Sequence, residues 1–256
     1  MNQSPNASDH GPSMRRTALS YLTTVSHASS PFITTFLLIH LSAPVLANLG
    51  GASLSSQVMV SKVATDAFVK SKIMVQQLLG REYYQTSFGE KYLLLAPLIL
   101  HTSSGVAKRL LSDPPTKSPR PLSSLLTLTG YGMFLFLPIH VAIHRLHPAD
   151  SSMLDFEFVK LGLHKWPWRS WFLYGSLVGC AVLHAAEGMN IIGRTWAGSI
   201  FKTWKSNKRM RRIAAGIGAV PLFTGLCFIF QEPLTIFPSL ARQFEMAFTR
   251  SWIYRL

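Results

Sequence analysis

Histidine is the residue type with chemistry to offer in this chain. Of nine histidines, four (His40, His101, His140 and His184) fall inside long apolar runs. A titratable side chain there is costly, and by default a functional candidate. The four recur as two matched pairs. Phe36-Leu37-Leu38-Ile39-His40 returns as Phe136-Leu137-Pro138-Ile139-His140, and His101-Thr102-Ser103-Ser104-Gly105 returns as His184-Ala185-Ala186-Glu187-Gly188. Imidazole is an axial ligand of haem iron, and two imidazoles on facing helices can hold one iron from both sides. The pattern therefore points to haem b, one or two per chain, with His40 facing His140 and His101 facing His184. Across each iron the ring nitrogens would lie about 4 Å apart. Gly105 and Gly188 follow their histidines by one turn on the same helix face, where a missing side chain lets a porphyrin approach the backbone. Arg109 and Arg194 lie two to three turns further on and can pair with propionates, or simply snorkel as flanking positives. The competing reading of each histidine is an interhelical hydrogen bond. His144, one turn from His140, can replace it as a ligand. Zinc fits less well, since no Cys or carboxylate cluster stands at ligand spacing.

These side chains need elements to hold them, and composition says which. The 256 residues are 48% hydrophobic and only 14% charged, against roughly 25% charged in an average soluble domain. So few charges cannot coat a soluble globule of this size, which excludes disorder, a disulfide scaffold and an ordinary soluble enzyme. Cys180 and Cys227 both sit in apolar runs. The expected fold is an all-α membrane protein. Its five spans lie near 27–47, 91–111, 122–146, 170–192 and 213–231, each about the 20 residues a bilayer core requires. The net charge of +14 gathers at the ends of those spans, which suits anionic lipid headgroups, whereas no stacking platform accompanies it for nucleic acid. The first, third and fifth polar segments concentrate Lys and Arg in short stretches, among them Lys202, Lys205, Lys208, Arg209, Arg211 and Arg212. By the positive-inside rule that side, with the N-terminus, is cytosolic, and an odd number of spans puts the C-terminus opposite. Residues 1–26 read as a polar disordered tail. Two amphipathic stretches, 57–79 and 232–256, lie either in the headgroup plane or over the bundle as a cap.

At the FL-x-IH and H-x-x-x-G motifs the chain resembles the cytochrome b membrane anchor of succinate dehydrogenase and fumarate reductase. That resemblance implies a five-helix bundle built from a repeated helix pair plus a fifth helix. Across about 25–256, a narrower resemblance is to the fungal mitochondrial outer-membrane adapter family. It is carried by Thr129-Gly130-Tyr131, Leu137-Pro138-Ile139-His140-Val141 and Leu183-His184 through Gly188 to Arg194. That family implies a role in lipid homeostasis, recruitment of a bridge-like lipid-transfer protein of the vacuolar protein sorting type, and a link to haem. It also implies a Pro-x-Pro recruiting element. The one such segment here is Pro119-Arg120-Pro121, between spans two and three, and its plainer reading is a turn into span three. Two functions stay open: a non-enzymatic adapter, or a b-type cytochrome passing electrons between two haems or to quinone.

Overall fold

The computed structural model describes residues 14–60, 84, 86–112, 124–150, 154–196 and 208–255, without the side chains of 50–60 and 194. All of the regular elements among them are helical. Helix α1 is Met14–Val60. A π-helical segment, Gly89–Leu95, runs directly into α2, Ala96–Leu111. Helix α3, Leu125–Val141, runs into a second π-helical segment, Ala142–Leu146. Then come α4 (Phe156–Lys165), α5 (Pro167–Trp196), α6 (Lys208–Gln231), α7 (Pro238–Arg250) and α8 (Trp252–Arg255).

Four helical stretches are long and apolar enough to cross a membrane: 14–49, 125–146, 167–193 and 208–231. The remaining expected span, 91–111, is helical throughout, but its first turns are π-helical and the α-helical part has only 16 residues. Helix α1 begins at Met14, inside the stretch expected to be a tail. The chain's local chemistry explains several boundaries. Ser124 caps α3 by accepting from the Thr127 N–H at 3.3 Å, and Asp155 caps α4 by accepting from the Glu157 N–H at 2.9 Å. Pro167 and Pro238 open α5 and α7, where the missing N–H costs nothing.

Two antiparallel hairpins result, α1 with α2 and α3 with α5, and α6 packs against both α1 and α5. The Arg15 Nε donates to the Leu111 carbonyl at 2.6 Å, which ties the start of α1 to the end of α2. Small side chains permit the close approach. Ser26, Ser29, Ser30 and Ser104 are buried in the first hairpin. In the second, a Cβ on Gly132 would overlap the Cys180 sulfur. Where α1 meets α6, Gly225 lies against the Pro44 carbonyl, with no room for a side chain. Asn48 bridges the same crossing: its Nδ2 donates to the carbonyls of Val45 and Pro221, both at 2.8 Å, and its Oδ1 accepts from the Thr224 hydroxyl at 2.6 Å. Both helices carry prolines there, and neighbouring side chains are what make proline tolerable in a membrane helix.

At the end away from Met14, helices α4, α7 and α8 form a cap. Phe158 stacks on Phe248 with centroids 4.4 Å apart, and Phe244, Ala247, Leu161 and Tyr254 close the cluster. Buried Lys160 is neutralised by Glu157 at 2.5 Å and Glu232 at 3.3 Å. The C-terminal amphipathic stretch is therefore a cap packed on the bundle, with Phe244 and Phe248 inside and Phe237 and Trp252 exposed. The other amphipathic stretch, from 61 onward, lies outside the described residues.

Candidate functional site

The four histidines gather in the space between the two hairpins, at two levels. On the inner level, towards Met14, the rings of His101 (α2) and His184 (α5) stand 6.2 Å apart between centroids, at 83° to each other. On the outer level, His40 (α1) and His140 (α3) stand 5.9 Å apart at 76°. Each expected pair is thus brought together, each across the gap between hairpins. Helix geometry separates the levels: from Ser30, beside His101, to His40 is ten residues, about 15 Å along α1.

Both inner rings have polar neighbours on the helix beside them. His101 Nδ1 is 3.0 Å from the Ser26 carbonyl and 3.3 Å from the Ser30 hydroxyl, which itself donates to that carbonyl at 2.8 Å. His184 Nδ1 is 3.5 Å from the Thr129 hydroxyl. A carbonyl only accepts, so the ring nitrogen bonded to it must be protonated. Gly130 makes room for the second ring: a Cβ there would come within 3.3 Å of His184 Cε1. Gly105 and Gly188 face open space, where an added Cβ would meet nothing within 4 Å.

The outer level is built differently. His140 stacks on His144 with centroids 4.3 Å apart, and His144 Nε2 is 3.0 Å from the Tyr174 hydroxyl. His40 stacks on Phe36 at 5.4 Å. Among the described residues no three His, Cys, Asp or Glu side chains converge on a metal position.

A haem can be tested against these residues. The donor set fits, since two neutral imidazoles suffice. With each nitrogen about 2 Å from an iron, the two ring centroids would lie about 6 Å apart, as both pairs do. Gly105 is exposed on α2 and Gly188 is half-buried on α5. Of the residues expected at the propionates, Arg109 ends α2 on the inner side, and the Arg194 side chain lies outside the described set. So do Pro119, Arg120 and Pro121.

Charge near the site was only partly legible. Glu187, one turn past His184, is paired with Arg211 of α6 at 2.9 Å, both largely buried. Arg211 had looked like one more flanking positive. Nor does the sequence single out Ser26, Ser30 and Thr129, which stand beside the two inner rings. Outside the spans, the hydrogen bond from Arg145 holds the Glu90 carboxyl below its ordinary range, and burial pushes the Asp155 carboxyl and the Tyr254 phenol up.

A family model described as the transmembrane domain of MDM10-complementing protein 1 matches residues 135–232, from the second FL-x-IH stretch to just beyond the end of α6. No curated protein and no solved structure matches the chain.

Proposed function

We propose that this membrane protein is a mitochondrial outer-membrane adapter in lipid homeostasis and at organelle contacts, and that it binds haem b. The observation that carries the adapter reading is the match of 135–232 to the transmembrane domain of MDM10-complementing protein 1, on the stretch where the sequence resembles the adapter family. In this reading the apolar helices, with 91–111 as a fifth span, anchor the chain. The basic segments face anionic headgroups on the cytosolic side, and a bridge-like lipid-transfer protein docks there. Pro119-Arg120-Pro121 is the candidate contact, because proline-rich strands lose little ordering entropy on binding. The chain itself is not an enzyme in this account.

His40, His101, His140 and His184 are the candidate iron ligands, Gly105 and Gly188 give the macrocycle room, and Arg109 and Arg194 are candidate propionate partners. When bound, haem supplies a redox-active iron. The protein's residues orient the imidazoles and keep the surroundings apolar. A b-type cytochrome that passes electrons between two haems or to quinone is the second reading, favoured by the two facing histidine pairs.

The test expresses the tagged chain in a fungal cell and follows the lipid-transfer protein. Recruitment to mitochondria that Pro119→Ala/Pro121→Ala abolishes, with any haem absorbance intact, is the expected result. Residence in another membrane would overturn the adapter reading. Lipid-related rescue that is lost in His101→Ala/His184→Ala while recruitment persists would favour a haem-dependent function instead.

A further inference from the structure

We propose that the chain binds one buried water between the bundle and its cap, and that this water orients the His140 imidazole. The site is a cavity of ≈ 10 Å³ lined by His140, His144, Tyr174 and Tyr254 among apolar side chains. That volume takes about one water, and a water is held in such a place when about two to four polar groups converge on it. The groups that converge here come from separate parts of the chain. His140 is near the end of α3, His144 lies in the π-helical segment after it, Tyr174 is in α5 and Tyr254 in α8.

His140 is the group that needs a partner. Its ring stacks on His144 and meets His40 and Tyr174 edge-on. Among the described residues none gives that ring a hydrogen bond. A neutral imidazole carries one donor and one acceptor nitrogen, and burying both unbonded is costly. Tyr254 supplies the other end of the site. The Gly162 carbonyl only accepts, so the buried Ser170 hydroxyl donates to it at 2.7 Å. That commits the one Ser170 proton. The Tyr254 hydroxyl, 3.2 Å from Ser170 Oγ, is therefore the donor of that pair. Its oxygen keeps lone pairs and accepts from the water, whose second bond goes to the His140 ring. Tyr174, held to His144 Nε2 at 3.0 Å, offers the water a third contact. The water thus completes a line from the Gly162 backbone through Ser170 and Tyr254 to His140. By that line the last turn of the chain orients an imidazole within the spans. One ring nitrogen is used and the other is left for an iron, whose imidazole ligands commonly hold water on the second nitrogen. The water site itself stands without haem.

The experiment is solid-state NMR of the full chain, isotope-labelled at the histidine ring nitrogens, in phosphatidylcholine bilayers without haem. Loss of signals in His140→Phe identifies those of His140. The expected result is a cross-peak between one His140 ring nitrogen and a water proton. Tyr254→Phe removes the hydroxyl that holds the water. The cross-peak should then be lost and the His140 nitrogen shift should move, while the His101 and His184 signals stay in place. That pattern separates a lost orientation from a general loss of structure. Ser170→Ala keeps the phenol and should keep the cross-peak, so a poorly folding Tyr254 variant does not decide the matter. A wild-type His140 ring without a water contact overturns the proposal, as does a water contact unchanged in Tyr254→Phe. Hemin binding is read separately by absorbance, so the haem reading and the water site fail independently.

Discussion

At the scale of single residues, the ion pair between Glu187 and Arg211 shows how charge survives among apolar helices. Each side chain is largely shielded, and they meet at 2.9 Å. Removing one partner of such a pair leaves the other charge to bear its desolvation alone, a cost of about 3 kcal/mol. Glu187→Gln should therefore lower the melting temperature in detergent markedly, and Glu187→Leu/Arg211→Leu should recover most of the loss. Equal losses in the single and double variants would show that the pair is not what holds α5 to α6.

At the scale of elements, glycine has opposite meanings along α6. Gly216 and Gly218 have open space where a Cβ would go, whereas at Gly225 the Pro44 carbonyl of α1 occupies it. Alanine usually stabilises a helix by about 1 kcal/mol over glycine. Gly216→Ala should raise the melting temperature or leave it unchanged. Gly225→Ala should lower it, because α1 and α6 must separate and the Asn48 bridge to Pro221 must stretch. The two π-helical segments form another joint: Arg145 Nε and Nη2 clamp Glu90 at 2.7 and 2.6 Å. The folded-state pKa of Glu90 lies below its ordinary 4.5. Its contribution to stability is thus complete above the ordinary value and is lost as pH falls through the lowered one. Asp155, raised by burial from 3.8, has the opposite sign, its native form holding the proton more tightly. Melting curves from pH 6 to pH 3 should fall less steeply for Glu90→Gln than for the wild type, and a parallel fall would refute the clamp.

At the scale of the whole molecule, the number of spans decides where the termini lie. Four helices qualify by length and composition. The segment 91–111 runs antiparallel to α1, and its 21 helical residues measure about 32 Å at an α-helical rise, enough for the roughly 30 Å bilayer core. Counted as a span, it makes five and places the ends of the chain in opposite compartments. Protease treatment of intact organelles bearing tags at residues 1 and 256 should destroy the N-terminal tag and spare the C-terminal one. Loss of both would mean an even number of crossings, and the cap formed by α4, α7 and α8 would then be cytosolic.

Much of this architecture was legible in the sequence, because hydrophobic length and repetition are local properties. The apolar runs marked most of the helices to within a few residues, although α1 runs thirteen residues beyond its expected span at each end, and the doubled FL-x-IH and H-x-x-x-G motifs foretold which histidines face each other. Local pattern could not say what surrounds each pair. Whether a ring nitrogen meets a carbonyl, as at Ser26, or a phenol, as at Tyr174, depends on the depth and rotation at which helices from different hairpins cross. The same holds for Arg211, which reads as a flanking positive until α6 is laid beside α5 and Glu187 comes into reach. The C-terminal stripe was equally open: a headgroup-plane helix and a cap have the same periodicity, and only the packing of Phe244 and Phe248 against Phe158 chose between them.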